Sequence, residues 1–598
     1  MFQNFDATTR PEDGPSRVSA LRVAMASAGV DVFLIPRADA HRGENVAPCD
    51  ERLAWLTGFT GSAGLAAVSA AAAVIFVDGR YTLQVRQQTD SGTFQYLNLM
   101  QDKPADWARS VLPDGGRIGI DPMLHTRAEL ARLNDGLPDA FEIVEIGNLV
   151  DEVWADRPDA PRAAIVPYGV AFAGEDSAAK RARLGAGLVS DDLAAAVITL
   201  PDSIAWLLNI RGGDIARTPV ARAFAILRAT GKVDLFVTDV AAVGSDTVAH
   251  LGADVAVAGK DAFMPALSAL RGRVAVDKDT APIAVCNALT QAEIVWKRDP
   301  CILPKAQKNA VEIQGSREAH LRDGIAMVEF LTWLSESAPN GGLSEIDVVE
   351  KLEDFRRGTN SLQDISFESI SGAGAHAAIP HYRVTRDSNA PLHPNSIYLI
   401  DSGGQYLDGT TDITRTIAIG TPPDDAKLPY TLVLKGMIAL SRLHWPAGLA
   451  GRDLDAVARQ ALWAHGMDYD HGTGHGVGAY LGVHEGPAAF SRRSIEPILT
   501  GMILSNEPGY YREGGFGIRI ENLIVVNDPA TPPGGDRDML SFETLTFVPI
   551  DKTLIDRKLM TSAEVAWLNN YHQETFSRLS EHVSPAAKAW LVAATSPI

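Results

Sequence analysis

A chain of 598 residues, 46% apolar and 21% charged, is too long for one hydrophobic core and too apolar for disorder, so two to four packed domains are expected. The net charge of −20, with basic residues scattered along the chain, argues against nucleic acid or an anionic membrane surface as a partner. Cys49, Cys286 and Cys301 are far apart and odd in number, which argues against a disulfide framework or a cysteine zinc site and fits a reducing cytoplasm. The opening MFQNFDATTRPEDG has no apolar core of a signal peptide.

In chain order, Arg17 to Pro36 reads as an amphipathic helix followed by the strand VDVFLIP. Ala54-Trp55-Leu56, a Gly-rich turn and the strand AAVIFVDG come next, and the weakly polar run 63–77 reads as paired strands rather than a membrane span. A second copy of this order starts at Ala178: the strand AAAVITLP, Ala205-Trp206-Leu207, IRGGD, then the strand VDLFVTD. The alternation predicts two similar α/β domains, residues 1–160 and 161–305, with ADRPDAPRAAIVP as the linker and KRDPCILP near the second boundary.

The remainder, 306–598, reads as a larger α+β domain. Asn309 to Leu334 is a long helix with Leu321, Ile325, Val328 and Leu331 on one side. Ser344 and Asp347 form a capping-box start for a helix burying Val348, Leu352 and Phe355. Strands follow from about Ile397, and the end, from Thr561 to Trp590, returns to helix with Trp567, Leu568 and Tyr571 on its apolar side.

This last third carries five metal-capable residues: Asp401, Asp412, His475, Glu507 and Glu521. Asp401 ends the apolar run SIYLI, and Asp412 opens the alternating strand DITRTIAI; a strand–turn–strand path would set them side by side. Asp beside Gly-rich turns is also ordinary turn chemistry, which suffices for Asp408 but less well for Asp412. Glu507 precedes a Pro-Gly turn, and Glu521 falls inside the strand pattern IRIENLIVV, either at an exposed edge or paired with Arg519. Between them, DHGTGHGVGAYLGVHEGP puts His471 and His475 on a glycine-dense loop, which is neither an HExxH helix nor a phosphate loop. Carboxylates buried together repel unless a cation lies between them. One imidazole and four carboxylates suit a pair of Mn²⁺, Zn²⁺ or Co²⁺ ions, with no serine or cysteine nucleophile required.

DSGGQYLDGTTDITRT, HGTGHGVG, NEPGYY and GIRIEN together resemble the signature of the pita-bread metallopeptidases. The length, the duplicated creatinase-N-like front and the segments GFTGSAG, VDGRYTLQ, DSIAWLLNIRG, ISGAGAHAAIPHYR and SFETLTFVPID select the three-domain Xaa-Pro aminopeptidase, or aminopeptidase P, branch. The resemblance implies that Asp401 ligates one metal, Asp412 and Glu521 bridge both, and His475 and Glu507 complete the second. It implies two divalent ions, Mn²⁺ first, sharing a hydroxide that attacks the Xaa-Pro carbonyl of peptides with penultimate proline. His381 and His484 would contact that carbonyl, and His471 would line the pocket beside the substrate. Arg519 would support the bridging region, and Glu507 would also move a proton to the leaving nitrogen. His376 stands where the family more often has Asn. A cytoplasmic homodimer joined through the C-terminal domain completes what the resemblance implies. A prolidase or a methionine aminopeptidase would use the same five ligands but carries fewer N-terminal domains, and a pita-bread fold kept as a binding module would lose ligands.

Overall fold

The computed structural model describes residues 1–598, and the chain folds as two compact units, Thr8–Ile302 and Leu303–Ile598, the latter joined by Met1–Ala7. The sequence reading kept residues 1–7 with the first domain. The structure differs because Gln3 exchanges side-chain hydrogen bonds with the backbone of Ser369, and Phe5 O accepts from Arg386 N.

The N-terminal unit contains two six-stranded sheets of the same topology. In the first, helix α1 (Gly14–Ala28) precedes β1 (Val32–Pro36), β2 (Leu65–Ser69), β3 (Ala73–Val77), β4 (Gln95–Asn98), β5 (Gly116–Ile120) and β6 (Phe141–Glu145), in the spatial order β4-β3-β2-β1-β5-β6. In the second, α2 (Ser177–Ser190) precedes β7 (Ala195–Ile198), β8 (Ala223–Arg228), β9 (Val233–Val237), β10 (Val255–Gly259), β11 (Gly272–Val276) and β12 (Ala292–Trp296). Their order, β10-β9-β8-β7-β11-β12, repeats the first sheet. The pairing directions also repeat, with two antiparallel pairs at the centre and parallel pairs outside them. Strand β1 is an unbroken apolar run because both faces are covered. Phe33 and Ile35 pack with Val18, Leu21 and Met25 of α1, while Val32 and Leu34 pack with Trp107 and Leu130.

The duplication extends to single side chains. Arg17, the fourth residue of α1, lies over the Trp55 ring at 4.8 Å and donates to Trp55 O. Lys180, the fourth residue of α2, lies over Trp206 at 4.4 Å and donates to Trp206 O. Each cation thus meets the carbonyl end of the short helix carrying an Ala-Trp-Leu triplet, where positive charge is favoured.

In the C-terminal unit, α3 (Ala310–Ser337) starts at a capping box of Asn309 with Glu312, and α4 (Glu345–Arg357) at one of Ser344 with Asp347. Strands β13 (Ile370–Ala373), β14 (Ser396–Ser402) and β15 (Ile413–Ile419) form one antiparallel sheet, so strand structure begins earlier than expected from the sequence. Helices α5 (Asp424–Ser441) and α6 (Gly451–Trp463) pack on each other. A second sheet holds β16 (Ile503–Asn506), β19 (Asn522–Val526) and β20 (Phe542–Thr544), and β17 (Gly509–Arg512) pairs with β18 (Phe516–Arg519) as a hairpin. The C-terminal helical region divides into α7 (Ser562–Leu579), which brings Leu568 and Tyr571 into the core, and a last helix, Pro585–Ala594.

One expectation is corrected here. The run IRIENLIVV is two strands, not one: β18 ends at Arg519 and β19 begins at Asn522 in another sheet. At the break, Glu521 N donates to Thr414 O on β15, and the Arg415 guanidinium donates to Glu521 O. These tertiary bonds take the place of strand pairing at Glu521.

Candidate metal centre

Strand ends bring the acidic residues together. Antiparallel pairing of β14 with β15 puts Asp401 opposite Thr414 and Ser402 opposite Ile413, so Asp412, just before β15, lies near Asp401. Pairing of β16 with β19 ends at Asn506 opposite Asn522, which leaves Glu507 and Glu521 side by side one residue beyond. His475 enters from a two-residue strand, Gly474–His475, with its backbone N–H donating to Ser505 Oγ at 2.9 Å.

The resulting cluster is tight. Asp412, His475 and Glu521 each present a ligand atom, and these atoms lie within 4.8 Å of one another. His475 Nε2 is 3.5 Å from Asp412 Oδ2 and 3.3 Å from Glu507 Oε1. Asp401, Asp412 and Glu521 are buried, whereas Glu507 and His475 stay partly open. His484 is exposed at one side, its ring 4.1 Å from that of His475 in a T-shaped contact.

One cation of the protein reaches into this cluster. Arg519 Nη2 donates to Asp401 Oδ2 at 2.6 Å, Nη1 to Tyr511 OH at 2.6 Å, and Nε to Thr414 Oγ1 at 3.1 Å. Arg519 therefore pairs with Asp401 rather than with Glu521, the partner suggested by proximity in sequence. Glu521 instead accepts from Thr414 Oγ1 at 2.8 Å, because the chain bends between Arg519 and Glu521. Tyr511 OH also meets His471 Nε2 at 2.8 Å, linking the predicted pocket histidine to the same guanidinium.

A single guanidinium cannot neutralise four carboxylates. Burial, then Glu521 and Asp401, push Asp412 well above the usual carboxylate range. Burial, then Glu507 and Asp401, do the same to Glu521. Glu507 is pushed up to about 7 by burial, with Arg519 opposing and Asp401 reinforcing. Asp401 Oδ1 and Glu521 Oε1 are buried without a hydrogen-bond partner, a costly state for a carboxylate oxygen. Orphaned oxygens aimed into an acidic cluster beside an imidazole are the donor set of a divalent-metal site, so the residues fit such a group.

His381 follows the 3₁₀ turn Gly374–Ala378, which packs on β14 and β18, the strands bearing Asp401 and Arg519. The approach there is close: a side chain at Gly517 would collide with Ala377 O. His376 donates from Nδ1 to the buried Glu345, 2.9 Å from Oε1, and Tyr382 OH donates to Glu345 Oε2 at 3.1 Å. The segment bearing His381 is thus tied to α4.

Sequence reasoning missed the hydroxyl partners. Ser505 Oγ donates to Glu507 Oε1 at 3.0 Å while accepting from His475 N, and Thr414 links Arg519 to Glu521. Arg415 was overlooked too: fully buried, it donates to Glu521 O, Asn522 Oδ1 and Val548 O. Its one visible signal is an arginine in the middle of an otherwise apolar alternating strand.

Family profiles match most of the chain. The profile for metallopeptidase family M24 matches residues 314–528 and that for the C-terminal region of peptidase M24 residues 538–598. The creatinase/prolidase N-terminal domain matches twice, at 17–153 and 156–312. A "Probable Xaa-Pro aminopeptidase P" of Coccidioides posadasii is 40% identical, over 99% of this chain and 95% of its own. One from Laccaria bicolor is 38% identical, over 97% and 93%. The crystal structure of X-prolyl aminopeptidase from Caenorhabditis elegans, described as a cytosolic enzyme with a di-nuclear active site, superposes with a TM-score of 0.92 at 33% identity, covering 98% of this chain and 100% of that one. A prolidase from Thermococcus sibiricus, 22% identical with a TM-score of 0.50, shares the fold over only 63% of this chain, though 98% of its own. The chain belongs to metallopeptidase family M24, among the Xaa-Pro aminopeptidase P proteins.

Proposed function

We propose that this protein is a metal-dependent aminopeptidase that hydrolyses the bond between an N-terminal residue and a following proline. The observation that carries the reading is the cluster of buried Asp401, Asp412 and Glu521 with partly open Glu507 and His475, in which Asp401 Oδ1 and Glu521 Oε1 lack partners that a cation would supply. Two divalent ions held there would supply Lewis-acid polarisation of the scissile carbonyl and an activated water at neutral pH. Manganese is the proposed metal, supported by the oxygen-rich donor set; zinc and cobalt fit the same donors less specifically.

In this reading Asp401, Asp412, His475, Glu507 and Glu521 would together hold the two ions, with Asp412 and Glu521 as the residues that would be shared between them. Arg519 Nη2 orients Asp401 through its hydrogen bond to Oδ2, and Thr414 Oγ1 does the same for Glu521 Oε2. Glu507 would take a proton from the attacking water and deliver it to the departing proline nitrogen. His381 and His484 hold the carbonyl oxygen as negative charge develops. His471, oriented by Tyr511, lines the pocket for the substrate. No helix is long and apolar enough to cross a membrane. Cytoplasmic residence is supported by the nematode neighbour's description, and a homodimer by resemblance to the family.

A substrate panel on Mn²⁺-loaded protein tests the reading. Xaa-Pro-Yaa tripeptides are expected to be cleaved, with Xaa-Ala-Yaa cleaved at least about 100-fold more slowly. Cleavage restricted to Xaa-Pro dipeptides would move the assignment to a prolidase.

A further inference from the structure

The loop that brings His475 and His484 to the centre is poorly suited to hold itself in place. Between His471 and Phe490 it contains glycines at 472, 474, 476, 478, 482 and 486, each with large conformational freedom to lose. Stiffer residues cannot replace several of them. A Cβ at Gly474 would collide with Ser505 O, one at Gly476 with Glu485 O, and one at Gly478 would lie 2.8 Å from Gly482 O. The backbone must pass close to its neighbours, so rigidity has to come from outside the loop.

Outside grips on the loop include Ser505 Oγ on His475 N and Gln405 Nε2 on Leu481 O, and the ionic one is at Glu485, the single carboxylate between His471 and Phe490. Its side chain is 2% exposed and points away from solvent into two lysines that are equally buried. Lys305 Nζ lies 3.0 Å from Oε2, and Lys308 Nζ is paired with Oε1. Lys308 Nζ also donates to Lys305 O at 2.9 Å, and Lys308 N donates to Gly501 O at 3.0 Å. Both lysines therefore stand on a fixed base, immediately before the capped start of α3. On the loop side, Glu485 N donates to Gly476 O at 2.8 Å, one residue from His475. His484 is its other neighbour in sequence.

Folding alone does not call for this set. Taking these charges out of water is costly, and replacing a buried ionic set by apolar side chains of similar size is often neutral or stabilising. We propose that Glu485, gripped by Lys305 and Lys308, is a positioning residue that fixes the backbone between His475 and His484. It sets the placement of one proposed metal ligand and one proposed carbonyl-contacting histidine together. The inference rests on the metal-centre reading above, and it adds to that reading residues that touch neither metal nor substrate.

The test replaces the grip without stranding a charge. The triple variant Lys305→Met, Lys308→Met, Glu485→Leu is compared with the parent as the full chain, by amide hydrogen exchange over 474–488 and by Mn²⁺ affinity in competition with a chelator. The expected result is exchange in 474–488 faster by about 10-fold or more and Mn²⁺ affinity weaker by about 10-fold, the scale of losing a supporting partner. Exchange elsewhere and the unfolding midpoint should stay at the parent's values. Unchanged exchange and unchanged affinity would overturn the proposal, as would a loss of protection spread evenly over residues 303–598. The single variant Lys308→Met, which leaves Lys305 on Glu485, should fold and show a smaller effect in the same segment. Neither readout uses peptide cleavage, so failure of the parent to cleave Xaa-Pro peptides would count separately, against the functional reading.

Discussion

Asp50 in the N-terminal unit and Asp412 in the metal centre are both carboxylates withdrawn from water, and their surroundings are opposite. Asp50 receives Arg52 Nη1 at 2.9 Å, Arg157 Nη2 at 3.5 Å and Arg222 Nη2, while Asp151 takes two more bonds from Arg52 and one from Arg157. Burial works to raise Asp50, but Arg222, Arg52 and Arg157 outweigh it and hold the carboxyl below its usual range. In that cluster the arginines outnumber the two aspartates they hold. Around Asp412 the proportion is reversed, with four carboxylates meeting the one guanidinium of Arg519 and the imidazoles at the edge, and the carboxyl is driven upward. The contrast separates a buried ionic group that secures a fold from one built to take in cations.

Breaking each cluster should therefore have different consequences. The largest effect is expected from Glu521→Ala, which removes a carboxylate between the proposed ions. Cleavage of Xaa-Pro-Yaa should fall on the order of 10³-fold, about 4 kcal/mol of barrier, with the N-terminal unit still folded. Full activity with two metals bound would show that Glu521 is not part of the centre. Asp50→Ala should act on stability instead. Stranding its arginines should cost about 3–5 kcal/mol in the unfolding of the N-terminal unit, read from urea denaturation, while metal content stays at the parent's level. Lowered metal content in that variant would erase the distinction between the clusters.

Much of the architecture was legible because its signals are periodic. The duplicated front showed in the order of helix, strand and Ala-Trp-Leu triplet, and the matching positions of Arg17 and Lys180 extend it to side chains. The helix starts at Asn309 and Ser344 followed from capping chemistry. The break at Ile520–Glu521 was not legible, because apolar alternation continues across it and only bonds from Thr414 and Arg415 reveal the change of sheet. Arg519 was matched to the wrong carboxylate for the same reason, since sequence proximity says nothing about a bend. Tyr511, Ser505 and Thr414 escaped notice because single hydroxyls leave no pattern until the fold brings them to Arg519, Glu507 and Glu521. The roles of His381 and His484 came from family resemblance, not from spacing.

The central claim, that the acidic cluster exists to bind cations, is tested most directly by calorimetric titration of the metal-free chain with Mn²⁺ at several pH values. Asp412, Glu521 and Glu507 hold protons more tightly than ordinary carboxylates, Glu507 near pH 7, so ions must displace protons to bind. The account predicts two ions per chain, proton release on binding, and affinity that rises as pH increases from 6 through about 7. Binding of no ion, or binding unaffected by pH and without proton release, would contradict it.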